Sequence, residues 1–464
     1  MGAVLLLGVY APPLSAQNND PLQLDADLAV EMALQRNLGI RTQELEVMIE
    51  ERNYADRWNV FLPQISARGT LSRANEEQEG QADVEDLIEA APDPTEAPLE
   101  PEEPPEPEDP PRWNLSTNLD ISLTLTRQMI DGLRARASAL ETAEISLREA
   151  RRETEREVRL SFYELLLQQE QIRLAERRLA EAEQRYEEAQ EDYEDGVIDE
   201  FTLLSTQVNL ENQRPALRRQ RQGYDAAMRQ FALSIGVPPE EELELEGEIG
   251  VDPVDLLEEN RLRSLIGGNA DVREARRGIE QTELSLDSTV SGMYPTLTLA
   301  YNVDPGLTGD PFSSDLFESD NWGQRSGAFS IALNVPIDPL LPRSSTRTDI
   351  AEQERQIEQG EIAVQQAIDG AQSSLVSLVD TLEITLDSME SVGLNVELAE
   401  RALELAEEGY DSGFRDISDV RDAEIDLIDA RLDLLEEQFN YREALVELQF
   451  LLDTPLSEFT ETEE

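Results

Sequence analysis

Two periodicities share this chain: long stretches with apolar residues every three or four positions, and short stretches with apolar residues at every second one. Residues 133–195 contain neither Gly nor Pro, and 343–454 contain no Pro. Within them Leu165, Gln168, Ile172, Ala175, Leu179, Ala182, Tyr186, Ala189 and Tyr193 keep a strict alternation of four and three. Leu382, Thr385, Met389, Val392, Val396, Ala399, Leu403, Ala406 and Tyr410 do the same. This spacing predicts long helices packed along a coiled-coil seam, with Ala permitting close approach. At about 1.5 Å per residue, a helix over 133–195 is on the order of 95 Å long. Each long run ends at a Gly turn, Gly196 or Gly413, and a second long helix follows. Pro215 is expected to kink the first of these return helices. Shorter helical patterns cover about residues 25–57 and 254–290.

Four segments alternate with period two. The pattern is loose over Ile65–Leu71 and clean over Leu119–Thr126, Leu297–Val303 and Phe329–Val335. Each approaches the roughly 9–11 residues of a tilted membrane strand. Trp58, Phe61, Trp113, Tyr294 and Trp322 sit near the strand ends, where aromatic girdles lie. Two arrangements fit: soluble hairpins with one face on a core, or strands of a membrane barrel. Four strands cannot close a barrel, and an open edge cannot stand in lipid, so a membrane reading requires several copies to pool their strands.

The plan is written twice. A shift of 217 carries Tyr193, Gly196, Asp199, Leu210, Leu217, Tyr224 and Pro238 onto Tyr410, Gly413, Asp416, Leu427, Leu434, Tyr441 and Pro455. A shift of 232 carries Asn37 onto Asn269 and Pro63 onto Pro295. The predicted organisation is a first repeat over 17–248 and a second over 249–464. Ahead of them, the apolar run of residues 1–16 predicts a secretory signal cut after Ala16, without the basic residues that usually open one. Residues 74–111, Pro- and acid-rich with no basic residue, form a predicted disordered loop between two strands.

Composition narrows the chemistry. The chain has 464 residues, 100 acidic against 38 basic, and a formal charge of −62. Such a surface repels nucleic acid. Every basic residue is Arg, and Cys and His are absent. That removes disulfides, thiolate and imidazole metal sites, and Ser-His-Asp or Cys nucleophiles. The expectation is a protein that is not an enzyme, with no catalytic residue, no cofactor and no metal centre. No apolar run reaches the roughly 18 residues of a membrane helix.

The candidate site is the pair of helical turns. Gly196 and Gly413 admit the left-handed conformation that stops a helix. Val197, Ile198, Phe414 and Ile417 place apolar groups at exposed tips, which suggests docking. Behind the second turn Asp419, Asp422, Asp426, Asp429 and Asp433 line one helix face. They read either as a solvated face or as the lining of a water-filled tunnel that favours cations. Their mates in the first copy are Thr202, Ser205, Asn209, Asn212 and Ala216.

This ordered duplication resembles the TolC-like outer-membrane factor family over nearly the whole chain. The resemblance rests on the Asn37 and Pro63 block, its Asn269 and Pro295 copy, and the two Tyr-x-x-Gly turns. It implies a mainly α protomer with four β-strands, and a homotrimer whose pooled strands form a twelve-stranded barrel above a helical tunnel. It implies an outer-membrane location extending into the periplasm. The implied partners are a periplasmic adaptor and an inner-membrane pump or ABC transporter. It also implies that Tyr410 and Arg415 are gate residues, and that Asp419 and Asp422 ring the entrance and can bind cations. Thr202 stands where the family's latch has an aspartate, with Glu200 as a possible substitute. The implied function is the exit duct of a tripartite efflux pump. Two alternatives stay open: the outer-membrane component of type I protein secretion, and an extracytoplasmic coiled-coil scaffold outside the membrane.

Overall fold

The structure, a computed structural model, describes residues 22–73, 113–250, 253–254, 256–304, 326–415 and 417–455. The predicted signal segment 1–16, the loop 74–111, Trp322 and Asp416 lie outside the described residues. The helices are α1 (Ala26–Arg36), α2 (Leu38–Ala55), α3 (Gln128–Glu194), α4 (Glu200–Ser234), α5 (Glu259–Leu265), α6 (Ala270–Ser291), α7 (Ser345–Asp411) and α8 (Ile417–Leu452). The strands are β1 (Leu22–Leu24), β2 (Gln64–Arg73), β3 (Trp113–Leu125), β4 (Leu243–Leu245), β5 (Thr296–Asp304) and β6 (Ser326–Asn334). Helices α3 and α7 each run for 67 residues. Pro215 lies inside α4. The chain divides into two compact units that cut across the two sequence copies.

The first unit comprises Met1–Glu51, Ala139–Glu280 and Ile357–Glu464. It holds two hydrophobic cores, one per copy. Val30, Val158, Leu165, Phe231 and Ile235 belong to one; their mates Leu262, Leu375, Leu382, Leu448 and Leu452 belong to the other. Along the predicted seam, Leu165, Ala182, Ala189, Leu382, Thr385 and Ala406 are buried, and the intervening positions are half-buried. Burial ends at Tyr193 and Tyr410, both exposed. A parallel pair, β1 with β4, completes this unit.

The same hydrogen bonds close each copy. The Asn37 amide donates to the Ser234 carbonyl at 2.9 Å, while its Oδ1 accepts from the Gly39 and Ile40 amides. The Asn269 amide donates to the Leu451 carbonyl at 3.0 Å, while its Oδ1 accepts from Asp271 and Val272. Each Asn caps one helix and ties it to the end of a hairpin's return helix. The neighbouring residues exchange roles. Gly236 has φ +73, and a Cβ there would meet Arg36 Cβ at 2.5 Å. In the second copy the Gly and the side chain trade places: Gly268 replaces Arg36, and Asp453, with φ 55, replaces Gly236.

The second unit comprises Arg52–Ser138 and Gln281–Gln356 and carries a four-stranded antiparallel sheet in the order β2-β3-β5-β6. The register aligns Ile65, Ile121, Tyr301 and Phe329 across all four strands. That row lies on a face that also carries Ala67, Leu71, Leu119, Leu123, Leu297, Leu299, Ile331 and Leu333. The opposite face carries Ser66, Arg68, Asp120, Ser122, Thr298, Asn302, Ser330 and Asn334. On it Asn302 donates to Asp120 at 2.7 Å. Both edge strands, β2 and β6, are exposed along their whole length. The two strand pairs are thus one sheet rather than separate hairpins, joined where β3 of the first copy meets β5 of the second. The described helices include none long and apolar enough to cross a membrane.

Candidate functional site

The two helical turns have identical backbone hydrogen bonds. At the first, Gly196 N–H donates to the Tyr193 carbonyl at 3.1 Å and Val197 N–H to Asp192 at 2.7 Å. At the second, Gly413 N–H donates to Tyr410 at 2.9 Å and Phe414 N–H to Gly409 at 2.8 Å. These are paired Schellman motifs, and both glycines take the positive φ they require, +76 and +73. In such motifs the residue after the Gly commonly packs on the preceding turn. Here that turn offers Asp192 or Gly409, so Val197 and Phe414 are left 70% and 88% exposed. Ile198 is half-buried, and the Ile417 side chain lies outside what is described. Phe201, Leu204 and Val208 extend the exposed apolar surface along α4.

The expected gate residues are held locally. Asp199 caps α4: its Oδ1 accepts from the Thr202 hydroxyl at 2.6 Å and the Thr202 amide at 2.9 Å. The hydroxyl bond, then the amide bond, hold the Asp199 carboxyl below its usual range. The Thr202 hydroxyl is therefore committed within its own turn, and no hydrogen bond joins it to Arg415. Arg415 folds onto its own helix end, where a Cβ on Gly409 would lie 2.9 Å from its Cδ. Glu200 is exposed in the first turn of α4, and Tyr410 is exposed at the end of α7.

The row of aspartates on α8 is only partly unpaired. Asp419, Asp426 and Asp433 are exposed, but Asp422 is paired with Arg185 and Asp429 with Arg178, both on α3. One heptad further from the tip, Gln171 donates to Glu436 at 3.1 Å. The sum of the paired numbers is constant, so α3 and α8 run antiparallel in heptad register. The described residues offer no cluster of acidic groups able to hold a metal ion.

Arg421 also ties these helices together, from a buried position, and sequence reasoning did not single it out. It is 6% exposed and grips Glu188 with a two-pronged fork at 2.6 and 2.5 Å. Glu181 stands 3.7 Å away. The fork holds the Glu188 carboxyl below its usual range. One signal for this ladder was present in the sequence: Arg178 and Arg185 share the seven-residue spacing of Asp422 and Asp429.

Other ion pairs fix the order of the long helices. Arg214–Glu183 and Arg221–Glu176 join α4 to α3, and Arg431–Glu400 joins α8 to α7. The order is α4-α3-α8-α7, with α4 and α7 outermost.

Duplicated helical hairpins, paired glycine turns and a one-sided sheet define a tunnel fold of the outer-membrane channel class. The sequence profile described as outer membrane efflux protein matches residues 29–237 and 262–454, and the chain belongs to that family. No curated protein matches by sequence. Among solved structures, the CmeC outer-membrane channel of Campylobacter jejuni is similar at 13% identity and a TM-score of 0.66, covering 98% of this chain and 92% of that one. The open state of the MtrE outer-membrane channel of Neisseria gonorrhoeae gives 17% identity and 0.66, covering 94% and 91%. The outer-membrane protein VceC of Vibrio cholerae gives 16% and 0.62, covering 92% and 96%.

Proposed function

We propose that three copies of this chain form an outer-membrane channel that is the exit duct of a tripartite efflux pump. The observation that carries this reading is the sheet of the second unit. One face carries the large apolar residues of every strand, the other is polar or small, and each edge strand has a neighbour on one side only. Lipid accepts the apolar face but not the open edges, so β6 of one copy pairs with β2 of the next until the ring closes. Each protomer gives four strands, two from each of the copies 17–248 and 249–464. The helices of the first unit line a tunnel in the periplasm. Its tips, with Val197 and Phe414 uncovered, take the periplasmic adaptor. Docking opens the tunnel by binding the open state better than the closed one.

The test uses the purified full chain in detergent. Its expected mass is that of a trimer, and it should give discrete single-channel steps in planar bilayers. Val197→Asp combined with Phe414→Asp should keep the trimer and the steps but lose efflux in cells. A monodisperse monomer, stable in water without detergent, refutes the channel reading.

A further inference from the structure

The duplication makes each helix contact inside the chain a template for a second contact. The shift of 217 carries α3 onto α7, and its reverse carries α8 onto α4. The α3–α8 seam therefore has a counterpart between α7 and α4. Those are the outermost helices of the layer, so the counterpart cannot form within one chain.

The residues at that counterpart differ systematically. Glu181 and Glu188 of α3 map onto Leu398 and Leu405 of α7, and Arg421 of α8 maps onto Leu204 of α4. The charged triad becomes three leucines. These leucines are 60%, 46% and 49% exposed, whereas Arg421 is 6% exposed. The Arg178–Asp429 pair maps onto Asn395 and Asn212, and Arg185–Asp422 maps onto Ala402 and Ser205. No charged residue stands at any of these seven counterpart positions, in a chain with a charge of −62. Exposed leucines on a helix flank are otherwise unfavourable, because their apolar surface gains nothing in water.

We infer that a second copy of this chain covers Leu398 and Leu405 with its own Leu204, so that the seam between subunits is uncharged, with a leucine cluster in place of the buried arginine, where the seam within a subunit is ionic. The inference rests on the oligomeric reading above and assigns the residues that hold it. Complementarity supports it. Two outward faces carry leucines at corresponding points of an antiparallel seven-residue register, and the intrachain copy of that register is already closed.

The absence of Cys makes the test clean. Leu204→Cys with Leu405→Cys, in the full-length protein in detergent, is treated with a short bis-maleimide. Denaturing gels should then show dimer and trimer bands. Arg421→Cys with Glu188→Cys should give an internal link and no higher band. If the leucine substitutions prevent folding, Asn212→Cys with Asn395→Cys reads the same seam and should give the same higher bands. A trimer by light scattering in which neither seam pair links subunits overturns this inference and leaves the channel reading intact. A linked monomer band from Leu204→Cys with Leu405→Cys overturns it as well. Absence of any trimer overturns the channel reading itself.

Discussion

At the scale of single residues, the duplicated asparagines do the most with the least. Each Asn fills two backbone donors at a helix start and anchors a carbonyl at a helix end from a distant segment. Asn269 is buried, so its groups have no water to replace a lost partner. A lost cap costs about 1 kcal/mol, and an unpaired bond about as much again. Asn269→Ala should therefore lower stability by about 2 kcal/mol. Asn269→Ser keeps a capping oxygen but loses the donor to Leu451, and should cost less than Asn269→Ala. Thermal unfolding followed by circular dichroism measures both, and equal loss from the two variants contradicts the double role. The repeat made these residues visible in the sequence. Their mechanism was not visible, because Ser234 and Leu451 are bonded through their backbone carbonyls, which leave no trace in side-chain identity. The exchange of Gly236 and Arg36 for Asp453 and Gly268 was hidden for a similar reason. It becomes apparent only when the two helix ends are brought together.

At the scale of helices, the seam was legible because its period is local, and its partners were not, because they lie in the other copy. Asp422 and Asp429 read as part of a solvated or tunnel-lining stripe, and the structure gives them Arg185 and Arg178. Arg421 was invisible because a lone Arg among acids looks like an ordinary solvated charge. Its burial creates a directional prediction. Arg421→Leu, which installs the residue of the first copy, leaves Glu181 and Glu188 without their shared cation. Charge-assisted bonds contribute about 2 kcal/mol each, and α8 should loosen from α3 near the tip. Single-channel conductance should rise, while the mass in detergent stays that of a trimer. Conductance and unfolding temperature both unchanged would mean that the fork holds nothing. The pH dependence has a definite sign. The folded Glu188 carboxyl titrates below its unfolded value, so its contribution is complete above about 4.3 and disappears as pH falls through the folded value. The acid side is where the α3–α8 seam should weaken.

At the scale of the whole molecule, the decisive property is the difference between the two faces of one sheet. Alternation was legible strand by strand, but soluble hairpins and a membrane wall have the same alternation. All four strands join with their apolar residues on one side and both edges open, and the two readings give those two faces opposite surroundings. Matched substitutions on a single strand exploit that difference. Ile331→Arg and Leu333→Arg place cations on the apolar face of β6, at about 2–4 kcal/mol each near the middle of a bilayer. Ser330→Arg and Ala332→Arg place the same cations on the polar face. If the apolar face meets lipid, the first pair should abolish insertion into outer membranes, while the second pair inserts and changes only conductance and ion selectivity. A water-soluble scaffold predicts the reverse order, since Phe329, Ile331 and Leu333 are already exposed and a charge there would improve solubility. Membrane fractionation of the two double variants side by side therefore decides between wall and scaffold without reference to any relative. The sheet alone sets the outcome, because the two variants share one strand and the same two added charges, and differ only in the side of the sheet that receives them.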